Sequence, residues 1–89
     1  MAWTIEITDD AERSLRKIAP ADSRRIVDFL YRRVLALDHP RQLGQALQGS
    51  RLGELWRYRV GDFRVLCKIH DKRLVILVVE IGHRREIYR

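Results

Sequence analysis

The apolar positions change period three times along the chain. Trp3, Ile5 and Ile7 alternate with Thr4 and Glu6, which predicts a short strand with one buried face. Thr8-Asp9-Asp10 stops it. Asp9 with Glu12 three residues on is close to a capping box, and acids suit the positive end of a helix dipole. Ala11, Leu15 and Ile18 recur at i, i+4 and i+7, so a short helix runs to about Ala19, where Pro20 breaks it and opens another. That second helix is predicted over about residues 21–38. Ile26, Phe29, Leu30, Val34 and Leu37 form its apolar stripe, with Arg24, Arg25, Asp28 and Arg32 mostly on the other side.

Asp38-His39-Pro40 ends the helical region. The connection RQLGQALQGSRLG is polar and contains glycine, although Leu43 and Leu47 can anchor a turn to the core. From Glu54 the pattern is strand. LWRYRV alternates, GD is a two-residue turn signal, and FRVLCKI alternates again; HDKR turns the chain, and LVILVVEI suits a central strand. The expected architecture is α+β, in the order β-α-α-β-β-β, with two helices on one face of a small, mainly antiparallel sheet.

Folding the hairpin on this pattern has a chemical consequence. With Gly61-Asp62 as the turn, Val60 pairs with Phe63 and Arg59 lies opposite Arg64. Arg57, Arg59, Arg64 and Lys68 then share one side, while Trp56, Tyr58, Val60, Phe63, Val65, Cys67 and Ile69 face the helices. Arginines directly opposite each other repel and weaken a sheet. A solvated face with splayed side chains is the plain alternative. A bound anion accounts better for three arginines in one hairpin, and the planar guanidinium fork suits phosphate.

Composition sharpens that reading. The 89 residues suit one domain, 1–89, and 46% hydrophobic content argues against disorder. No apolar run approaches the roughly 20 residues of a membrane span, and MAWTIEITDD carries no basic signal-peptide region. Cys67 is the one cysteine and cannot staple the fold, so a cytoplasmic setting is expected. The net charge is +6, and its distribution is uneven: residues 1–48 hold 8 Lys/Arg against 7 Asp/Glu, and residues 49–89 hold 10 against 5. A polyanion or an acidic protein is the expected partner of the second half. His39 and His70 sit at loop positions without clustered Cys or Asp, so neither a zinc site nor another cofactor is expected.

The chain closes with IGHRREIYR. The last strand is expected to end near Ile81, with Gly82 turning the backbone so that His83 and Arg84 emerge at the sheet edge and Tyr88 reaches back over it. Arginines for phosphate, an imidazole and a ring for base stacking fit RNA.

On LGQALQG, LWRYRVGDFRVL and the terminal G-H-R-x-E-x-Y, the sequence resembles the RelE branch of the RelE/ParE toxins, the toxic halves of bacterial toxin–antitoxin pairs. The resemblance covers nearly the whole chain. It implies a ribosome-dependent mRNA endonuclease that cuts in the A site without metal: the 2′-hydroxyl attacks the adjacent phosphate, leaving a cyclic phosphate and a free 5′-hydroxyl. It matches Arg64 to the phosphate-stabilising arginine, Arg84 to an arginine assisting the leaving group, and Tyr88 to the tyrosine that stacks on or orients the nucleotide. Arg57 and Arg59 stand where the family often has lysines, and with Lys68 and Arg85 they extend the phosphate-binding surface.

One departure is chemical. Arginine stays protonated, so Arg59 is a poor substitute for a lysine base. Either electrostatic positioning carries the rate, or His83 accepts the proton, which is the expectation adopted from the sequence. Another is length: a single residue follows Tyr88, so antitoxin docking at that end is expected to differ from that in relatives with a further helix. The implied partners are a cognate RelB-like antitoxin with an acidic amphipathic segment, the ribosome and its mRNA, with operator DNA reached only through the antitoxin and no membrane. A ParE-like inhibitor of DNA gyrase and a non-catalytic RNA-binding module are the competing readings.

Overall fold

Thr8 ends the first strand and starts the first helix. Strand β1 (Thr4–Ile7) gives way there, and the Thr8 hydroxyl oxygen accepts from the Ala11 N–H at 3.2 Å, capping helix α1 (Asp9–Lys17). The cap is therefore Thr8, one residue before the expected Asp9. Asp9, Asp10 and Glu12 lie in the first turn, with Arg16 and Lys17 in the last, both favourable to the dipole. The computed structural model describes residues 2–47 and 54–87.

Helix α2 (Pro20–Asp28) opens on its proline and continues as a π-helical segment, Phe29–Val34. The wider turn shows in the Leu35 N–H, which donates to the Leu30 carbonyl at 3.1 Å. Ile26, Leu30 and Val34 are all fully buried. At 3.6 residues per turn a spacing of four drifts by about 40° per step, and widening the turns brings the three back into line. The helical run stops at Val34, short of the expected residue 38.

A 3₁₀ turn (Pro40–Gln42) leads to strand β2 (Gln45–Ala46), followed by β3 (Trp56–Val60), β4 (Phe63–His70), β5 (Val75–His83) and the single turn α3 (Arg84–Ile87). The sheet runs β1-β5-β4-β3-β2, antiparallel except where β1 lies parallel to β5. Strand β2 falls inside the stretch read as a polar connection. Both its residues are exposed, so it carries no apolar alternation. Helices cover one face, where Ile26, Leu30 and Val34 pack with Tyr58, Val65, Cys67, Ile76 and Val78. The buried Tyr58 hydroxyl donates to the Pro40 carbonyl and ties the 3₁₀ turn to the sheet. No helix among the described residues is long and apolar enough to cross a membrane.

The far end of the sheet adds two features that the pattern did not specify. His39, read as a loop residue without clustered Cys or Asp ligands, approaches the Asp71 carboxylate at 3.3 Å, and Arg41 bonds the same oxygen at 2.8 Å. The Arg41 hydrogen bond holds the Asp71 carboxyl below its ordinary range, and His39 adds to the effect. Leu74, in the β4–β5 turn, adopts φ 55°, where a Cβ is strained, while its carbonyl accepts from the Thr4 N–H at 2.9 Å. Leu74→Gly should therefore raise stability by up to about 1 kcal/mol in urea unfolding, with the unfolding slope unchanged.

Candidate functional site

The β3–β4 hairpin has the register expected from its sequence: Val60 opposite Phe63, Arg59 opposite Arg64, Arg57 opposite Leu66. Gly61 takes φ 60° at the first central position, as a type II′ turn requires. Partners across a ladder point to the same side. The sheet face away from the helices therefore carries rows: Arg59, Arg64 and Gly82 in one, Arg57, Leu66 and Glu80 in the next, then Lys68 with Leu77.

Arg64 is the surprise on this face. It was read as part of an anion-binding arginine cluster open to a partner, yet it is only 3% exposed. Two unit charges about 5 Å apart at an effective dielectric of about 20 repel by about 3 kcal/mol, so parallel side chains on Arg59 and Arg64 would be strongly unfavourable. Arg64 instead folds back along the hairpin, where its Nη1 donates to the Gly61 carbonyl at 3.0 Å and the Phe63 carbonyl at 2.9 Å. Arg59 stays exposed, Arg57 donates to the Gln45 side-chain oxygen across the β2–β3 ladder, and Lys68 is half-buried.

The tail does not leave the sheet at Ile81. Strand β5 continues through Gly82, which sits in the ladder opposite Arg64, and ends at His83 opposite Phe63. Gly82 is a strand residue here, with no turn at that position, and β5 is an interior strand between β1 and β4. The chain then stays tied to the hairpin. The Arg84 N–H donates to the Asp62 carbonyl at 2.8 Å, and its Nε lies 3.9 Å from the Asp62 carboxylate. Arg84 and Arg64 are thus both bonded to the same two-residue turn.

His83 is set apart from that cluster. Its ladder partner Phe63 belongs to the helix-covered face, the two rings meet edge to face at 5.8 Å, and its Nδ1 accepts from the Arg85 N–H at 3.2 Å. By register it lies on the face opposite Arg64. Arg85 is exposed, while Tyr88 lies outside the described residues. The sequence reading missed two acids. Asp62 was read only as a turn former. Glu80 was read only as part of the run LVILVVEI, and its place one row from Arg64 depends on a bulge: Leu66 pairs with Glu80 but Cys67 with Val78. Burial pushes the Cys67 thiol and the Tyr58 hydroxyl well above their ordinary ranges, so neither supplies an anion at neutral pH.

The fold has known relatives. A family model for the ParE toxin of type II toxin–antitoxin system, parDE, matches residues 5–88. Toxin RelG of Mycobacterium tuberculosis (strain ATCC 25618 / H37Rv) is 28% identical over 89 residues, spanning 100% of this chain and 99% of that protein. The toxin–antitoxin complex RelBE2 from Mycobacterium tuberculosis superposes with a TM-score of 0.79 at 25% identity, covering 94% of this chain and 93% of the other. The archaeal RelE–RelB complex from Pyrococcus horikoshii OT3 gives 0.71 at 28% identity, covering 94% and 97%.

Proposed function

The chain belongs to the ParE toxin family of type II toxin–antitoxin systems, within the RelE/ParE superfamily, and on its likeness to Toxin RelG and to the RelE–RelB complex we propose that it is a ribosome-dependent mRNA endonuclease cutting in the A site. One observation carries the reading: Arg59 and Arg64 are directly opposed in the ladder, with Arg84 bonded to the same turn. The ladder puts both arginines on one sheet face, and a phosphodiester suits the planar guanidinium forks gathered there.

In the reaction the mRNA 2′-hydroxyl gives up its proton as its oxygen attacks phosphorus, and the 5′-oxygen leaves, taking a proton from solvent. The products are a 2′,3′-cyclic phosphate and a 5′-hydroxyl. Arg64 and Arg84 hold the non-bridging oxygens and stabilise the charge that grows on them, while Arg57, Arg59, Lys68 and Arg85 steer the backbone. Tyr88 orients the nucleotide. Glu80 suits the role of proton acceptor better than His83, because it shares the face of Arg64. On this reading Glu80→Gln lowers the single-turnover rate by about 10²-fold and His83→Ala by less than about tenfold. The reverse ranking would return the proton to His83.

The activity itself is tested by adding purified chain to ribosomes paused on a defined mRNA, with naked mRNA in parallel, and mapping new 5′ ends by primer extension. Cuts confined to the A-site codon, on ribosomes alone, are expected. Intact mRNA together with inhibited gyrase supercoiling would support the other activity of the superfamily. A RelB-like antitoxin is the proposed inhibitor, as in the named toxin–antitoxin complexes.

A further inference from the structure

A chain that leaves a sheet as one helical turn needs support from outside that turn. A first turn fixes several dihedrals for one hydrogen bond and is unstable alone. The described residues supply two ties for the opening N–H groups of α3. The Arg85 N–H donates to His83 Nδ1 at 3.2 Å, in the manner of a cap, and the Arg84 N–H donates to the Asp62 carbonyl at 2.8 Å. The first tie is local to the tail. The second crosses to the hairpin, so the hairpin turn decides where Arg84 stands.

That turn also carries a charge its shape does not need. After Gly61 at φ 60°, asparagine or serine would serve as well as aspartate. Aspartate puts a carboxylate among guanidinium groups. Arg84 Nε lies 3.9 Å from an Asp62 oxygen, Arg64 Nη1 is bonded to the neighbouring Gly61 carbonyl at 3.0 Å, and Arg25 stands 3.0 Å from where a Gly61 Cβ would be. At 3.9 Å the Arg84–Asp62 contact is an ion pair without a hydrogen bond. Both side chains are exposed, so it adds little to stability. An acid this close to bound phosphate also lowers affinity. Its effect is directional: an approach through Nε leaves the paired Nη edge of the guanidinium, the bidentate fork, for a phosphate. Orientation accounts for a charge that neither stability nor affinity favours.

We propose that Asp62 is a positioning residue for Arg84. Its carbonyl fixes the Arg84 backbone, and its carboxylate turns the guanidinium fork toward the phosphate that Arg64 binds. Arg84 touches the substrate; Asp62 acts through it. The part this plays in cleavage rests on the nuclease reading, whereas the grip of Asp62 on Arg84 does not.

The test is Asp62→Asn, which keeps the turn and removes the charge. Single-turnover cleavage on ribosomes is expected to fall by about tenfold, while ribosome affinity is unchanged or rises by up to about threefold. A merely structural role would lower both. In the Arg84→Ala background the same substitution should change the rate by less than about twofold, because nothing is left to position. A second readout needs no substrate. In protein isotope-labelled on its arginines, exchange of the Arg84 Nε hydrogen with water should quicken by about two- to fivefold in Asp62→Asn, the factor that an exposed ion pair supplies. Parental cleavage by Asp62→Asn, unaltered Arg84 Nε exchange, or a loss of rate that persists in full in the Arg84→Ala background overturns the proposal. Intact mRNA from the parental chain, together with faster Arg84 exchange in the variant, upholds the grip of Asp62 and counts against the nuclease reading.

Discussion

Arg64→Ala will, on the nuclease reading, lower mRNA cleavage on the ribosome by about 10²–10³-fold, the usual effect of removing one preorganised donor from a developing anion. Its guanidinium is buried against the hairpin and bonded to the Gly61 and Phe63 carbonyls, so its orientation is fixed before substrate arrives. A fixed donor avoids reorganisation during the reaction, and this is why the expected loss lies in the single-turnover rate more than in ribosome affinity. Arg64→Lys keeps the charge but not the planar fork, and should recover little of the rate while restoring binding. The variant also removes two hydrogen bonds from a turn, together worth about 1–3 kcal/mol. Urea unfolding of the same preparations separates a lost fold from lost chemistry. A folded Arg64→Ala protein that still cuts at the parental rate would refute the assignment. The binding loss, measured on ribosomes, should shrink as salt rises if phosphate contact is its cause.

Gly44→Ala will destabilise the protein by about 3 kcal/mol, a large share of the margin of a domain this small. Gly44 takes φ 86°, and an added Cβ would fall 2.5 Å from the Arg57 carbonyl oxygen, 2.7 Å from the Trp56 Nε1 and 2.9 Å from a Tyr58 ring carbon. The nearest of these is backbone and cannot swing aside. Left-handed strain and overpacking each contribute roughly 1–3 kcal/mol. Relief requires β2 to peel from β3, which also breaks the 2.7 Å bond from the Trp56 indole N–H to the Leu43 carbonyl. Urea unfolding gives the magnitude. Faster exchange at the Arg57 amide, with β4 and β5 amides still protected, would localise the damage to this edge.

The hairpin shows how far pattern reading reaches. Strict alternation on both sides of Gly61-Asp62 leaves one register in which Trp56, Tyr58, Val60, Phe63, Val65, Cys67 and Ile69 all face the helices, so Arg59 opposite Arg64 was legible before any coordinates. The acid-rich start of α1 was equally plain, although the cap moved by one residue because Thr8 could serve both strand and helix. What stayed hidden has physical reasons. Burial of Arg64 reflects a side chain curling back to carbonyls of its own turn, and period-two reasoning assigns faces without assigning rotamers. The placement of His83 and Glu80 depends on the bulge at Leu66/Cys67, which shifts β5 by one residue relative to unbroken alternation. A two-residue strand such as β2 has too few positions to show a period. The π-helical segment keeps an apolar spacing that an α-helix also displays, so its wider turns leave no mark in the sequence.

The parallel pairing of β1 with β5 governs when the molecule can finish folding. Thr4 must find Val75 and Ile7 must find Val78, across both helices and the whole meander. During synthesis the first strand therefore emerges long before its partner exists, and its apolar side chains wait beside a helical hairpin with no sheet beneath it. Such distant closure is slow, since the entropy of the loop is lost before the contacts form. A ribosome making this chain consequently holds an incomplete protein until β5 has been translated and released.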